Sequence, residues 1–79
     1  MNRPRKRFVV VSFATTAAAL RWEQEAKAAG LSGRLIPVPR EITAGCGLAW
    51  RDEPENEKSL RDLLAQTGIE AQGLHILTL

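Results

Sequence analysis

Phe8-Val-Val-Val-Ser-Phe13, a run of β-branched and aromatic residues, passes with no spacer into Thr15-Thr16 and then into Ala17 to Ala29, the strongest helix-forming composition in the chain. The first stretch has the composition of a buried strand and the second that of a helix. Thr15 or Thr16 can cap that helix, Ala19, Trp22, Ala26 and Ala29 are spaced to share one face, and Gly30 suits the left-handed position that closes it. The chain therefore opens on a buried strand that runs straight into a helix cap.

Arg34 to Val38 is apolar enough for a second strand, with Pro37 and Pro39 implying that it lies at a sheet edge or stops pairing there. A loop follows from Pro39 to Gly45. Gly47-Leu-Ala-Trp-Arg51 reads as a third strand, with Leu48 and Trp50 on one face and Ala49 and Arg51 on the other. Pro54 suits the first turn of a second helix, which Asp52 or Glu53 can cap, while Glu55 and Glu57 complement the positive end of its dipole. Leu60, Leu63, Leu64 and Thr67 form its apolar stripe and Gly68 ends it. Leu74-His-Ile-Leu-Thr-Leu79 supplies the last strand, with Leu74, Ile76 and Thr78 on one face and His75, Leu77 and Leu79 on the other. The order β-α-β-β-α-β predicts an α+β, ferredoxin-like split arrangement: a four-stranded antiparallel sheet with two helices on one face. The other face is left open for a partner or for a homodimer.

The 79 residues make one domain, and a chain this short hides only about 60% of its unfolded surface, too little for a large enclosed active site. The net charge of +2, from eleven Lys/Arg and nine Asp/Glu, conceals an asymmetry. Arg3, Arg5, Lys6 and Arg7 carry four of the basic groups, so residues 1–7 read as a basic, flexible tail and residues 8–79 as the ferredoxin-like domain, itself mildly acidic. No apolar run approaches the roughly 20 residues that cross a bilayer, and the stretch after the basic residues is short for a signal peptide. One cysteine allows no intramolecular disulfide, and Cys46 with His75 offers no tetrahedral zinc site. The expectation is a cytoplasmic protein without metal or cofactor.

Function is concentrated in Arg34-Leu-Ile-Pro-Val-Pro-Arg-Glu-Ile-Thr-Ala-Gly-Cys-Gly-Leu-Ala-Trp50. Gly45 and Gly47 bracket Cys46, removing bulk on both sides of the sulfur and permitting backbone angles closed to other residues, so a turn can present the thiol with neighbouring amides forming an anion-binding concavity. Arg40 and Arg51 flank the loop in sequence. Arg40 can pair with Glu41 or lend positive potential to the sulfur. His75 could form a Cys–His pair with Cys46, although a histidine on the last strand more commonly faces solvent or the open sheet side. Trp50 reads as core.

These residues resemble a known family, the small bacterial selenium/sulfur carrier-like proteins. The resemblance is carried by Phe13 with the Thr15-Thr16 helix start, by Leu31-Ser-Gly-Arg-Leu-Ile-Pro-Val-Pro-Arg-Glu-Ile42, by Gly45-Cys-Gly-Leu-Ala49 and by Gly68-Ile69. It covers the chain after the basic tail. The chain departs from the family's pattern in its Arg-rich tail and in Trp22, where a small residue is more usual. The resemblance implies a ferredoxin-like domain whose Cys46 carries a sulfane sulfur or selenium atom, taken from a cysteine desulfurase or sulfurtransferase and passed to a thiol acceptor as a persulfide. Such a protein is a carrier and not an enzyme; Arg40, Gly45 and Gly47 would form the binding surroundings of the sulfur.

Two other classes compete. A regulatory or ligand-binding module of the amino-acid-sensing kind, built on the same element order with its ligand around Ser12–Thr16 or at a dimer interface, would leave Cys46 structural. An RNA-binding module would suit the basic tail, but the chain has two Phe, two Trp and no Tyr and lacks an aromatic-rich base-stacking motif. Hydrolytic and redox enzymes are disfavoured by the absence of a C-x-x-C, a glycine-rich phosphate loop or a paired-carboxylate pocket.

Overall fold

The computed structural model describes residues 5–42 and 45–79. Arg3 of the basic tail, and Thr43 and Ala44 of the Pro39–Gly45 loop, lie outside the described residues. Strand β1 (Arg7–Ser12) is followed by α1 (Thr16–Ala28), β2 (Arg34–Pro37), β3 (Leu48–Asp52), a 3-10 turn over Pro54–Asn56, α2 (Glu57–Thr67) and β4 (Gly73–Thr78). The sheet order is β2-β3-β1-β4, with each neighbouring pair antiparallel. Each strand–helix–strand half leaves a one-strand gap that the other half fills, giving an α+β fold consistent with the expected ferredoxin-like arrangement.

The termini of α1 follow from side chains and from one glycine. Thr15 caps it, its hydroxyl accepting from the Ala18 amide at 3.1 Å. At the other end Gly30 has φ 82°; its amide donates to Lys27 O and that of Leu31 to Ala26 O, both at 3.0 Å, the paired bonds of a Schellman cap. Ala19, Trp22 and Ala26 are buried, whereas Ala29 is exposed. Gly68, at φ 70°, ends α2, whose Leu60 and Leu63 are buried. The start of α2 differs from expectation. Neither Asp52 nor Glu53 caps the helix: the 3-10 turn intervenes, and Asn56 at the N-cap makes no side-chain cap bond. Asp52, 2% exposed, instead accepts from Trp50 Nε1 at 3.1 Å, Glu53 N at 2.8 Å and Asn56 Nδ2 at 2.9 Å. Three donors compensate the burial of its carboxylate.

Both helices cover one sheet face. Val9, Val11, Phe13, Ala19, Trp22, Ala26, Trp50, Leu60, Leu63 and Ile69 form the main core. Trp22 lies at its centre, 6.2 Å from the Trp50 ring at an interplanar angle of 84° and 6.1 Å from Phe13, within the range of favourable aromatic pairs. The second face carries a smaller cluster of Val10, Ile42 and Ala49, flanked by Phe8, Ile36, Val38, Leu77 and Leu79. Val38 and Ile42 therefore bring the segment after β2 over the second face of the sheet.

β2 is an edge strand, as its prolines require. Val38 N donates to Gly47 O at 2.9 Å, so by the alternation of an antiparallel ladder Pro37, opposite Leu48, falls at a non-hydrogen-bonded pair and its missing N–H interrupts nothing. At the amino end the ladder runs beyond the apolar residues. Arg7 opens β1, Lys6 and Leu79 exchange backbone bonds at 3.0 and 2.9 Å, and Arg5 Nη2 donates to Thr78 O at 3.1 Å. Residues 5–7, assigned to the tail from their charge, thus border the sheet. Among the described residues no helix is long and apolar enough to cross a membrane.

Candidate functional site

Cys46 lies in the turn leading into β3, beside the carboxyl end of β1 and the segment entering β4. Its amide donates to Phe13 O at 3.0 Å, while Gln72, just before β4, donates from its own amide to Ser12 O at 2.7 Å. The first bond ties the cysteine turn to the end of β1, and the second ties the entry to β4 to the same end of β1. Two residues after Phe13, Thr15 caps α1, so the positive end of a 13-residue helix with no acidic residue in its first turn opens at the same end of the sheet.

The glycine bracket has distinct roles on its two sides. Gly45 has φ +112°, and an added Cβ would lie 2.7 Å from Phe13 O and 2.8 Å from Gln72 Oε1; this position excludes a side chain by both conformation and space. Gly47 has φ +90° but open space around it, so only its backbone angle demands glycine. The Cys46 amide is committed to Phe13 and is therefore unavailable to a concavity of the three consecutive amides.

Cys46 is partly buried. It packs against the helix-side core and its Sγ lies 3.8 Å from Leu48 O, within reach of a weak S–H donation. Arg40 is exposed in the turn stabilised by the bond from Ile42 N to Pro39 O at 3.0 Å. Among the described residues no hydrogen bond or ion pair joins Arg40 to Cys46 or to Glu41. His75, opposite Val10 on β4, belongs to the second sheet face, whereas the Cys46 side chain joins the helix-side core; the sheet separates them. Trp50 is fully buried, as expected for core. Among the described residues no group of three or more His, Cys, Asp or Glu side chains is placed to hold a metal ion.

Two participants escaped the sequence reading, the Phe13 carbonyl and Gln72. Only the bracketing glycines hinted at them, since a glycine before a functional residue can mark close backbone approach. The arrangement places one partly buried cysteine in a turn held by its own backbone amide, with its side chain against the helix-side core.

No curated protein and no solved structure matches the chain. The family model described as "Putative Se/S carrier protein-like" matches residues 8–76, nearly the entire chain, and the protein belongs to that family.

Proposed function

We propose that the protein carries sulfur or selenium on Cys46 as a non-catalytic relay between a donor enzyme and an acceptor thiol. The observation that carries this reading is the partly buried position of the chain's one cysteine, on a turn whose glycines hold it at a sheet end, in a member of a carrier-like family. The Cys46 thiolate attacks the outer sulfur of a donor persulfide. A new S–S bond forms to Cys46, the donor's S–S bond breaks, and the donor leaves as a thiolate. Attack of an acceptor thiolate on the outer sulfur of Cys46–S–SH reverses these roles, so no external oxidant or reductant enters the relay. Before reacting, the side chain rotates away from Leu48 O and releases its proton to solvent. Arg40 supplies positive charge to the approaching anionic sulfur, Gly45 lets the turn close against Phe13, and Gly47 leaves the space on its own side of the cysteine free of a side chain. Donors of the desulfurase or sulfurtransferase kind and a cytoplasmic setting complete the proposal.

The test is intact-mass measurement after incubation with a cysteine desulfurase and cysteine. The wild-type chain gains one sulfur atom, releasable by reductant, and Cys46→Ser gains none. Packing of Cys46 against the core favours one alternative, a ligand-binding module in which the cysteine is structural. That reading requires wild type and Cys46→Ser to behave alike with both sulfur and selenide-derived donors.

A further inference from the structure

On the sheet face without helices, Arg34 of β2 and Arg51 of β3 are directly opposed cross-strand partners. Like charges in that position destabilise a sheet. The register continues the row through Val10 to His75 on β4, about 14 Å from Arg34 at ordinary strand spacing. None of the other strand residues on this side is acidic: they are Phe8, Ser12, Ile36, Ala49, Gly73 and Leu77. Just beyond the end of β3, Glu53 is taken by Lys6 in an ion pair of 2.7 Å. In the segment over this face, Arg40 and Glu41 are both exposed and offset one another in charge. Arg34 is exposed and forms no ion pair among the described residues, and the Arg51 guanidinium rests on the Phe8 ring, 4.5 Å from its centroid. Around the basic row lie the partly buried Ile36, Val38, Leu77 and Leu79.

From this charge pattern we infer that the helix-free face docks an acidic, amphipathic segment of a partner protein, with a carboxylate seated between Arg34 and Arg51. A carboxylate there accepts from both guanidinium groups and relieves their repulsion. Apolar side chains of the partner cover the aliphatic residues beside them. The mixture of basic and aliphatic groups suits protein better than single-stranded nucleic acid, because the face offers two rings, Phe8 and His75, and the Phe8 ring is already faced by Arg51 and by Lys6 at 5.5 Å. This inference concerns docking and stands apart from the chemistry of Cys46.

The test uses the full chain and a labelled short peptide of alternating Glu and Leu, with a peptide of alternating Gln and Leu and an oligouridine as comparisons. The acidic peptide binds at low salt, weakens as salt rises, and loses at least about fivefold in affinity with Arg34→Glu and by a smaller factor with Arg34→Gln. Arg34→Glu, facing Arg51 with opposite charge, also raises the melting midpoint by roughly 2–5 °C. Loss of binding in a more stable protein separates docking from damage to the fold. The inference is overturned if neither ligand binds, if the Gln peptide binds as well as the Glu peptide, if oligouridine binds more tightly, or if Arg34→Glu leaves peptide affinity unchanged. Sulfur loading of Arg34→Glu in the mass assay stays at the wild-type level, so failure here is distinguishable from failure of the carrier reading.

Discussion

The backbone amide of Cys46 is bonded to the carbonyl of Phe13 at 3.0 Å, joining the cysteine turn to the last residue before the helix loop. Gly45 makes that approach possible, since its φ of +112° and the 2.7 Å separation between a hypothetical Cβ and Phe13 O leave no room for alanine. Gly45→Ala is expected to cost about 2–3 kcal/mol through combined strain and displacement of the turn. Gly47→Ala, with the same kind of backbone angle but open space, should cost about 1 kcal/mol. Denaturant midpoints for the two variants check the order; equal losses would contradict the close-approach role of Gly45.

The two core tryptophans allow a comparison of similar deletions in different surroundings. Trp50 Nε1 donates to Asp52 at 3.1 Å, whereas Trp22 Nε1 is buried without a partner. Replacing either by Phe leaves a comparable void, but only Trp50→Phe strips a donor from a buried carboxylate, a loss on the order of 1–3 kcal/mol. Trp22→Phe removes an unsatisfied N–H and should therefore be the milder substitution. Urea unfolding of both variants decides the matter, and a larger loss for Trp22→Phe would refute the argument.

Most of the architecture was legible because local signals agreed with the tandem strand–helix–strand order: Thr15 at one helix start, Gly30 and Gly68 at the helix ends, and Pro37 on an edge strand. The missed features depend on contacts between distant segments. Asp52 looked like a helix cap, but burial gave its carboxylate the Trp50 indole and Asn56 as partners. Ile42 looked like loop, yet it packs with Val10 and Ala49. At the site, the glycine bracket announced unusual backbone, while the Cys46 amide's engagement by Phe13 and the separation of His75 by the sheet required the fold to be known. Residues 5–7 show only charge in the sequence, yet backbone bonds border the sheet there, because ladder hydrogen bonds do not require apolar side chains.

The amino-terminal pairing can be measured by differential truncation. Removal of residues 1–7 deletes the backbone exchange between Lys6 and Leu79, the Lys6–Glu53 ion pair and the first residue of β1; removal of residues 1–4 spares all three. The longer truncation should be less stable than the shorter by about 1–2 kcal/mol, each backbone bond contributing roughly 0.5–1.5 and the exposed ion pair little. At this chain length the difference is a melting shift of about 4–8 °C per kcal/mol. Equal midpoints would show that residues 5–7 contribute nothing to the fold.

The proposed role of Arg40 makes a kinetic prediction. Its side chain is exposed, and among the described residues it makes no ion pair, so Arg40→Ala should change stability by less than about 0.5 kcal/mol. If its charge assists the approach of an anionic persulfide, the same substitution slows sulfur loading of Cys46 several-fold and reduces the salt sensitivity of the rate, because exposed charges steer encounters through a field that salt screens. Arg40→Lys should recover most of the rate, since steering depends on charge more than on guanidinium geometry. Time-resolved intact-mass measurements on wild type, Arg40→Ala and Arg40→Lys at two salt concentrations separate the outcomes. An unchanged rate in Arg40→Ala removes Arg40 from the proposal while leaving Cys46 to be judged by Cys46→Ser; slowing that Arg40→Lys fails to restore would indicate specific hydrogen bonding by the guanidinium and overturn the steering argument.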